Sequence, residues 1–114
     1  MKYLLLIHTT TARARYDELD DDAQKAVTRE YFALLDEPGM LGSGQLQRSE
    51  TATTVRVENG RVLTTDGPFM ESKEELGGYY LYEADNLDAA LDLAARIPAA
   101  RMGGAIEVRP IVEH

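Results

Sequence analysis

The sequence of 114 residues contains no cysteine and no tryptophan. Without thiols, disulfides, thiolate metal sites and a cysteine nucleophile are all excluded, and the composition suits a cytoplasmic home. Long hydrophobic runs are missing too: Tyr3 to Ile7 is far too short for a membrane span or a signal-peptide core. Positive charge is scarce, with 12 Lys and Arg against 20 Asp and Glu, for a formal net charge of −8. Such a chain lacks the basic face that tracks a phosphate backbone, so neither nucleic acid nor a membrane is an expected partner. The only histidines are His8 and His114, and the scattered carboxylates show no ligand spacing, so no metal and no cofactor is expected. Ser43, Ser49 and Ser72 lack a nucleophile-elbow context, and no Gly-rich phosphate loop leads from a strand into a helix.

What remains is an ordinary globular composition, 44% hydrophobic and 28% charged, long enough for one core and not for two. One domain over residues 1–114 is expected. Lys2 to His8 is an unbroken apolar run of strand length, read as a central strand buried on both faces. A polar link follows. Leu19, Ala23, Ala26, Val27, Tyr31, Leu34 and Leu35 then recur at helical spacing, with Asp20-Asp21-Asp22 at the N-terminal end and Pro38-Gly39 as the stop. A short strand is expected around Leu41 to Leu46. Thr53 to Glu58 and Arg61 to Thr64 flank Asn59-Gly60, the dipeptide that tolerates a type I′ turn, and form a β-hairpin.

Asp66-Gly67-Pro68-Phe69 and Gly77-Gly78 read as two turns, and Tyr79 to Glu83 as the strand they launch. Asp85 and Asp88 offer an acidic capping box for a second helix whose face is Leu87, Ala90, Leu91, Ala94 and Ala95, closed by Pro98. Ala105 to Ile111 is the last strand. This α+β order, βαββαβ with a hairpin insertion, folds most economically as a ferredoxin-like sheet with both helices on one face. The other face is left bare and apolar, which predicts a homodimer with the sheets facing each other about a two-fold axis.

The segment "TVRVENGRVLTTDGPFMESKEELGGYYLYEADNLDAALDLAARIP" with the later "EVRPI" and the opening "MKYLLLIH" resembles the DGPF group of the YCII-related domain family over nearly the whole chain. The resemblance implies a ferredoxin-like fold that dimerises into an α/β barrel. It implies no single reaction. Relatives sit beside or fused to alternative sigma factors of the extracytoplasmic-function type, which implies a partner-binding role. Smaller members bring a His and an Asp together in a pocket and share a distant fold likeness with muconolactone isomerases. Their histidine lies where this chain has Asp20-Asp21-Asp22-Ala23-Gln24, so that dyad does not carry over.

The candidate catalytic residues are therefore Asp66, as general base or as the cap of its own turn, and His8, the one internal imidazole, at a strand end. Candidate ligand contacts are Phe69, Lys73, Arg48 and Arg109. Phe69 and Met70 either wall an apolar pocket or pin the loop to a dimer partner, and pinning is favoured. Lys73 beside Asp66 would anchor a ligand, whereas Glu71, Glu74 and Glu75 read as a solvated loop surface. Arg48, Arg101 and Arg109 suit a small carboxylate if they converge, although Arg109 and Glu107 share a strand face and pair as readily. Tyr80 and Tyr82 share one face of their strand and Tyr79 the other. Two functions follow. One is a homodimer that binds a small molecule or a protein partner. The other is a cofactorless enzyme moving a proton on a small organic acid or lactone, with Asp66 as base.

Overall fold

A computed structural model describes all residues 1–114. Strand β1 (Lys2–His8) leads through helix α1 (Thr10–Asp17) and helix α2 (Asp21–Ala33) to β2 (Met40–Gln45). A ribbon of β3 (Thr53–Glu58) and β4 (Arg61–Asp66) follows, then β5 (Leu76–Glu83), α3 (Leu87–Arg96), α4 (Pro98–Arg101) and β6 (Ala105–Pro110). The fold is mixed α+β, and every strand pairing is antiparallel. The main sheet has the order β2-β5-β1-β6, while β3 and β4 form a two-stranded sheet of their own. No helix is long and apolar enough to cross a membrane.

The alternation along β1 decides how the layers stack. Tyr3, Leu5 and Ile7 are buried under the helices, whereas Leu4, Leu6 and His8 on the opposite face are only half-buried. The strand is central, between β5 and β6, but it is not buried on both faces as its apolar run suggested, because every helix lies on one side. Register extends the two faces across the sheet. Tyr80 pairs with Leu5 and Tyr82 with Tyr3 on the covered side, and Tyr79 pairs with Leu6 and Leu81 with Leu4 on the open side. The core beneath the helices joins Tyr3, Leu5, Ile7 and Tyr80 to Ala12, Leu34, Ala90, Leu93, Ala94, Ile97 and Ala99.

Local chemistry accounts for the helices and for several departures from the sequence reading. Asp20 caps α2, its carboxylate accepting the Ala23 N–H at 2.8 Å, with Asp21 and Asp22 in the first turn where the helix dipole favours them. Gly39, at φ +95°, turns the chain into β2. Asn86, not Asp85, caps α3 by accepting from Ala89 N–H at 2.9 Å. The buried stripe of α3 is Ala90, Leu93 and Ala94, continued by Ile97, while Leu87 and Leu91 face water; the true i, i+3, i+4, i+7 series starts at residue 90. The polar link after β1 is the helix α1, which carries almost no hydrophobic stripe and buries only Ala12.

Gly77 and Gly78 form no turn. They are buried inside β5, which starts at Leu76. A Cβ at Gly77 would overlap the Thr9 hydroxyl and lie 2.8 Å from its Cγ2, and one at Gly78 would lie 2.8 Å from the Gly44 carbonyl oxygen. The two glycines let neighbouring backbone and side chains approach closely, a role that resembles a turn signal in one dimension.

Candidate functional site

The first turn of α1 has no acidic residue of its own and no side-chain cap. Three consecutive hydroxyls, Thr9-Thr10-Thr11, instead meet the acidic loop that precedes β5. Thr9 N–H donates to the Glu75 carbonyl at 2.9 Å, Glu75 N–H donates to Thr10 Oγ1 at 2.7 Å, and Thr11 Oγ1 donates to Glu74 Oε1 at 2.7 Å. A carboxylate at a helix N-terminus is also where the dipole places it best. The Thr11 hydroxyl, backbone N–H groups and the nearby His8 hold the Glu74 carboxyl below its usual range. That outweighs the dry, unpartnered position of Oε2, which alone would push the other way.

Glu75 accepts the Ser49 backbone N–H, and with Arg48 at 3.9 Å this holds its carboxyl low. Glu74 and Glu75 are thus the anchors of the loop and not a solvated surface. The signal for them was the Thr9-Thr10-Thr11 run, three adjacent hydroxyls able to donate or accept.

Beside this clasp, α1 and α2 splay from the end of the sheet and leave an open groove of about 1060 Å³. Ile7, Gln45, Gly78 and Tyr80 line it from the sheet, Arg13 and Tyr16 from α1, Tyr31 and Phe32 from α2, and Leu46 to Arg48 from the segment after β2. Tyr16 and Thr28 hydroxyls meet at 3.2 Å, and Gln24 Nε2 donates to the Tyr16 carbonyl at 3.0 Å, which ties the two helices together. Tyr80 donates to the Tyr31 carbonyl at 2.8 Å, and burial pushes its phenol up to about 12, so it stays a neutral donor. Arg13 makes no ion pair within 4 Å, although its charge reaches Glu75 and helps to hold that carboxyl low, and Arg48 contacts Glu75 at 3.9 Å.

The residues singled out from sequence are distributed over three places. Arg48 lies on the groove. His8 and Arg109 lie on the open face of the sheet, where His8 Nε2 is 3.4 Å from Glu107 Oε1 and Arg109 Nε is 2.6 Å from Glu107 Oε2. Arg109, then His8, hold the Glu107 carboxyl low. Asp66, Phe69 and Lys73 belong to the exposed ribbon and the loop at its foot. Asp66 closes β4 opposite Thr53, and the turn below it is secured by Gly67 N–H to the Ala52 carbonyl at 2.7 Å and Thr54 Oγ1 to the Gly67 carbonyl at 2.8 Å. Phe69 sits beneath the Arg56 guanidinium, 5.7 Å from the ring centre. The three arginines do not gather: Arg101 pairs with Glu30 and Arg109 with Glu107, leaving Arg48 at the groove. No group of three or more His, Asp or Glu side chains is placed to hold a metal.

Comparison with known proteins adds three findings. The family model of the YCII-related domain matches residues 1–114. An uncharacterized protein of Rhizobium meliloti (strain 1021) is 41% identical over 88 residues, which cover 75% of this chain and 68% of that protein. The chain also superposes on 5-chloro-2-hydroxyhydroquinone dehydrochlorinase from Burkholderia phenoliruptrix AC1100, solved in complex with 2,5-dihydroxybenzoquinone, with a TM-score of 0.52. That match covers 100% of this chain and 96% of the other, and at 15% identity it speaks for the fold.

Proposed function

Because the chain belongs to the YCII-related domain family, we propose that it is a cytoplasmic homodimer of the DGPF kind that binds a small planar organic molecule bearing an acidic oxygen. The whole of residues 1–114 acts as one ferredoxin-like domain. The strand order β2-β5-β1-β6 with the helices on one side supports that topology. Leu4, Leu6, Tyr79 and Leu81 on the open side support a dimer of facing sheets, an α/β barrel.

The observation that carries the ligand reading is Arg13, which has no carboxylate within 4 Å and lines the same groove as Tyr16, Tyr31 and Phe32. Aromatic walls suit a flat ring, and Arg13 with Arg48 suits a phenolate or carboxylate oxygen. The groove is at the upper end of the roughly 300–1,000 Å³ typical of small-molecule sites, so the ligand fills part of it. Phe69 and Lys73 are assigned to a partner contact and Arg109 to holding Glu107. A thermal-shift panel of phenols, hydroxyquinones, lactones and aromatic carboxylates tests the reading. A ligand at a hundred times its Kd stabilises by about 2.7 kcal/mol. No shift across the panel would sink it in favour of a protein partner, such as an extracytoplasmic-function sigma factor.

A second reading, cofactorless proton transfer on a small organic acid or lactone, is favoured by the His8–Glu107 contact at 3.4 Å and by the dehydrochlorinase likeness. His8 is its proton carrier, held by Glu107, with Asp66 the other candidate base. Turnover that survives both His8→Asn and Asp66→Asn would remove it.

A further inference from the structure

The β3–β4 ribbon is the one part of the chain that the groove, the clasp and the sheet leave without a purpose. Its strands pair with each other and with no strand of the main sheet. A two-stranded ribbon by itself is marginally stable in water. Yet this one is well formed, closed by Asn59 at φ +51° and Gly60 at φ +76° in the positive-φ pair of a type I′ turn, and its foot is fixed by the hydrogen bonds of Gly67.

Val55, Val57 and Val62 share one side of it and are 60%, 65% and 68% exposed. Leu63 on the other side and Phe69 and Met70 beyond it are exposed as well. The valine stripe on one side is a contiguous apolar surface in water, enough to supply part of the ~800 Å² that each partner contributes to a standard interface. The radius of gyration, 16.1 Å, exceeds the roughly 13 Å of a compact chain of this length, as an extended arm requires.

We propose that this ribbon is an arm that clasps a second copy of the same chain, packing the Val55, Val57 and Val62 stripe on the partner's body. The inference rests on the dimer of the preceding section and adds to it the element that locks the dimer. Two features select a second copy. The stretch Thr53 to Asp66 holds two arginines, one glutamate and one aspartate, so it is neutral within a chain of net charge −8 and meets no like-charge penalty on approaching another acidic copy. The chain also owns a second unpartnered apolar surface, the Leu4, Leu6 and Leu81 face, and a two-fold axis covers both kinds of surface twice in one assembly.

The test compares wild type with Val57→Lys/Val62→Lys by sedimentation equilibrium, with circular dichroism and melting confirming that the variant keeps its fold. The expected result is a dimer whose dissociation constant rises at least tenfold in the variant. A second measurement uses the absence of cysteine. Glu58→Cys, exposed on the side of the ribbon away from the valine stripe, carries a spin label on unlabelled chains mixed with ¹⁵N-labelled wild type, and the arm broadens amides of the labelled copy. A wild-type dimer with an unchanged constant in the variant and no inter-copy broadening overturns the arm while sparing the dimer. A wild type that is monomeric at every concentration overturns both. Capture of a different protein by the ribbon of a stable dimer also overturns the arm.

Discussion

Replacing Gly77 with alanine places a methyl group where Thr9 already stands. The new Cβ would overlap Thr9 Oγ1 and lie 2.8 Å from Cγ2 and 3.0 Å from Cβ of the same side chain. Gly77 does not have a positive φ, so the backbone accepts alanine and the whole cost is steric. Thr9 is β-branched and sits where the loop clasp begins, its N–H on the Glu75 carbonyl, so moving it disturbs the start of α1 as well. Overpacking of this kind costs about 1–3 kcal/mol. At ~2 kcal/mol and ~4 °C per kcal/mol for a domain of this size, Tm should fall by about 8 °C.

Thr9→Ala removes the two nearest atoms, so in the double variant much of the loss should return, with a coupling energy of ~1 kcal/mol or more. The assay is urea unfolding of the four proteins in the cycle. A Gly77→Ala protein that melts within ~1 °C of wild type, or a cycle with no coupling, would refute the close-approach reading and restore Gly77-Gly78 as a slack connection.

Asp20→Ala removes the cap of α2 and should cost about 1 kcal/mol in urea unfolding, with the fold unchanged. Glu75 has a folded pKa below its ordinary 4.5, so its stabilisation is present above that value and is lost as pH falls through the folded one. Glu75→Gln should therefore be less stable than wild type at pH 7, with the difference shrinking as the pH falls below the ordinary carboxylate range and through the lowered folded pKa. Tyr80 behaves oppositely, its pKa raised from 10.0 to about 12, so between those values the unfolded chain holds fewer protons and stability should fall as pH rises. Tyr80→Phe should flatten that alkaline limb.

Periodicity and turn chemistry made most of the architecture legible. The Asn59-Gly60 hairpin, the helix with Asp20-Asp21-Asp22 at its N-terminal end and the split of Tyr80 and Tyr82 from Tyr79 all follow from patterns within a few residues. The failures share a cause, which is that the deciding contact was distant in sequence. Helix α1 buries only Ala12, and the hydroxyls of its first turn are tied to Glu74 and Glu75, more than sixty residues away, so no local pattern announced it. Gly77 looked like a turn because Thr9, the neighbour that demands a glycine, is equally remote. Arg13 and Tyr16 escaped notice for the same reason, since nothing in a polar stretch shows that α1 faces Tyr31 and Phe32 of α2 across a groove. Arg48, a candidate by its charge alone, lies on that groove.

On the proposed function, the groove beside Arg13 takes a planar molecule with an acidic oxygen. Calorimetric titration of wild type and Arg13→Ala with 2,5-dihydroxybenzoquinone and with simple phenolic acids tests it most directly. Saturable binding of one molecule per chain is expected, weakened at least tenfold in Arg13→Ala while circular dichroism shows the fold retained. No binding by the wild type, or equal binding by both proteins, would contradict it.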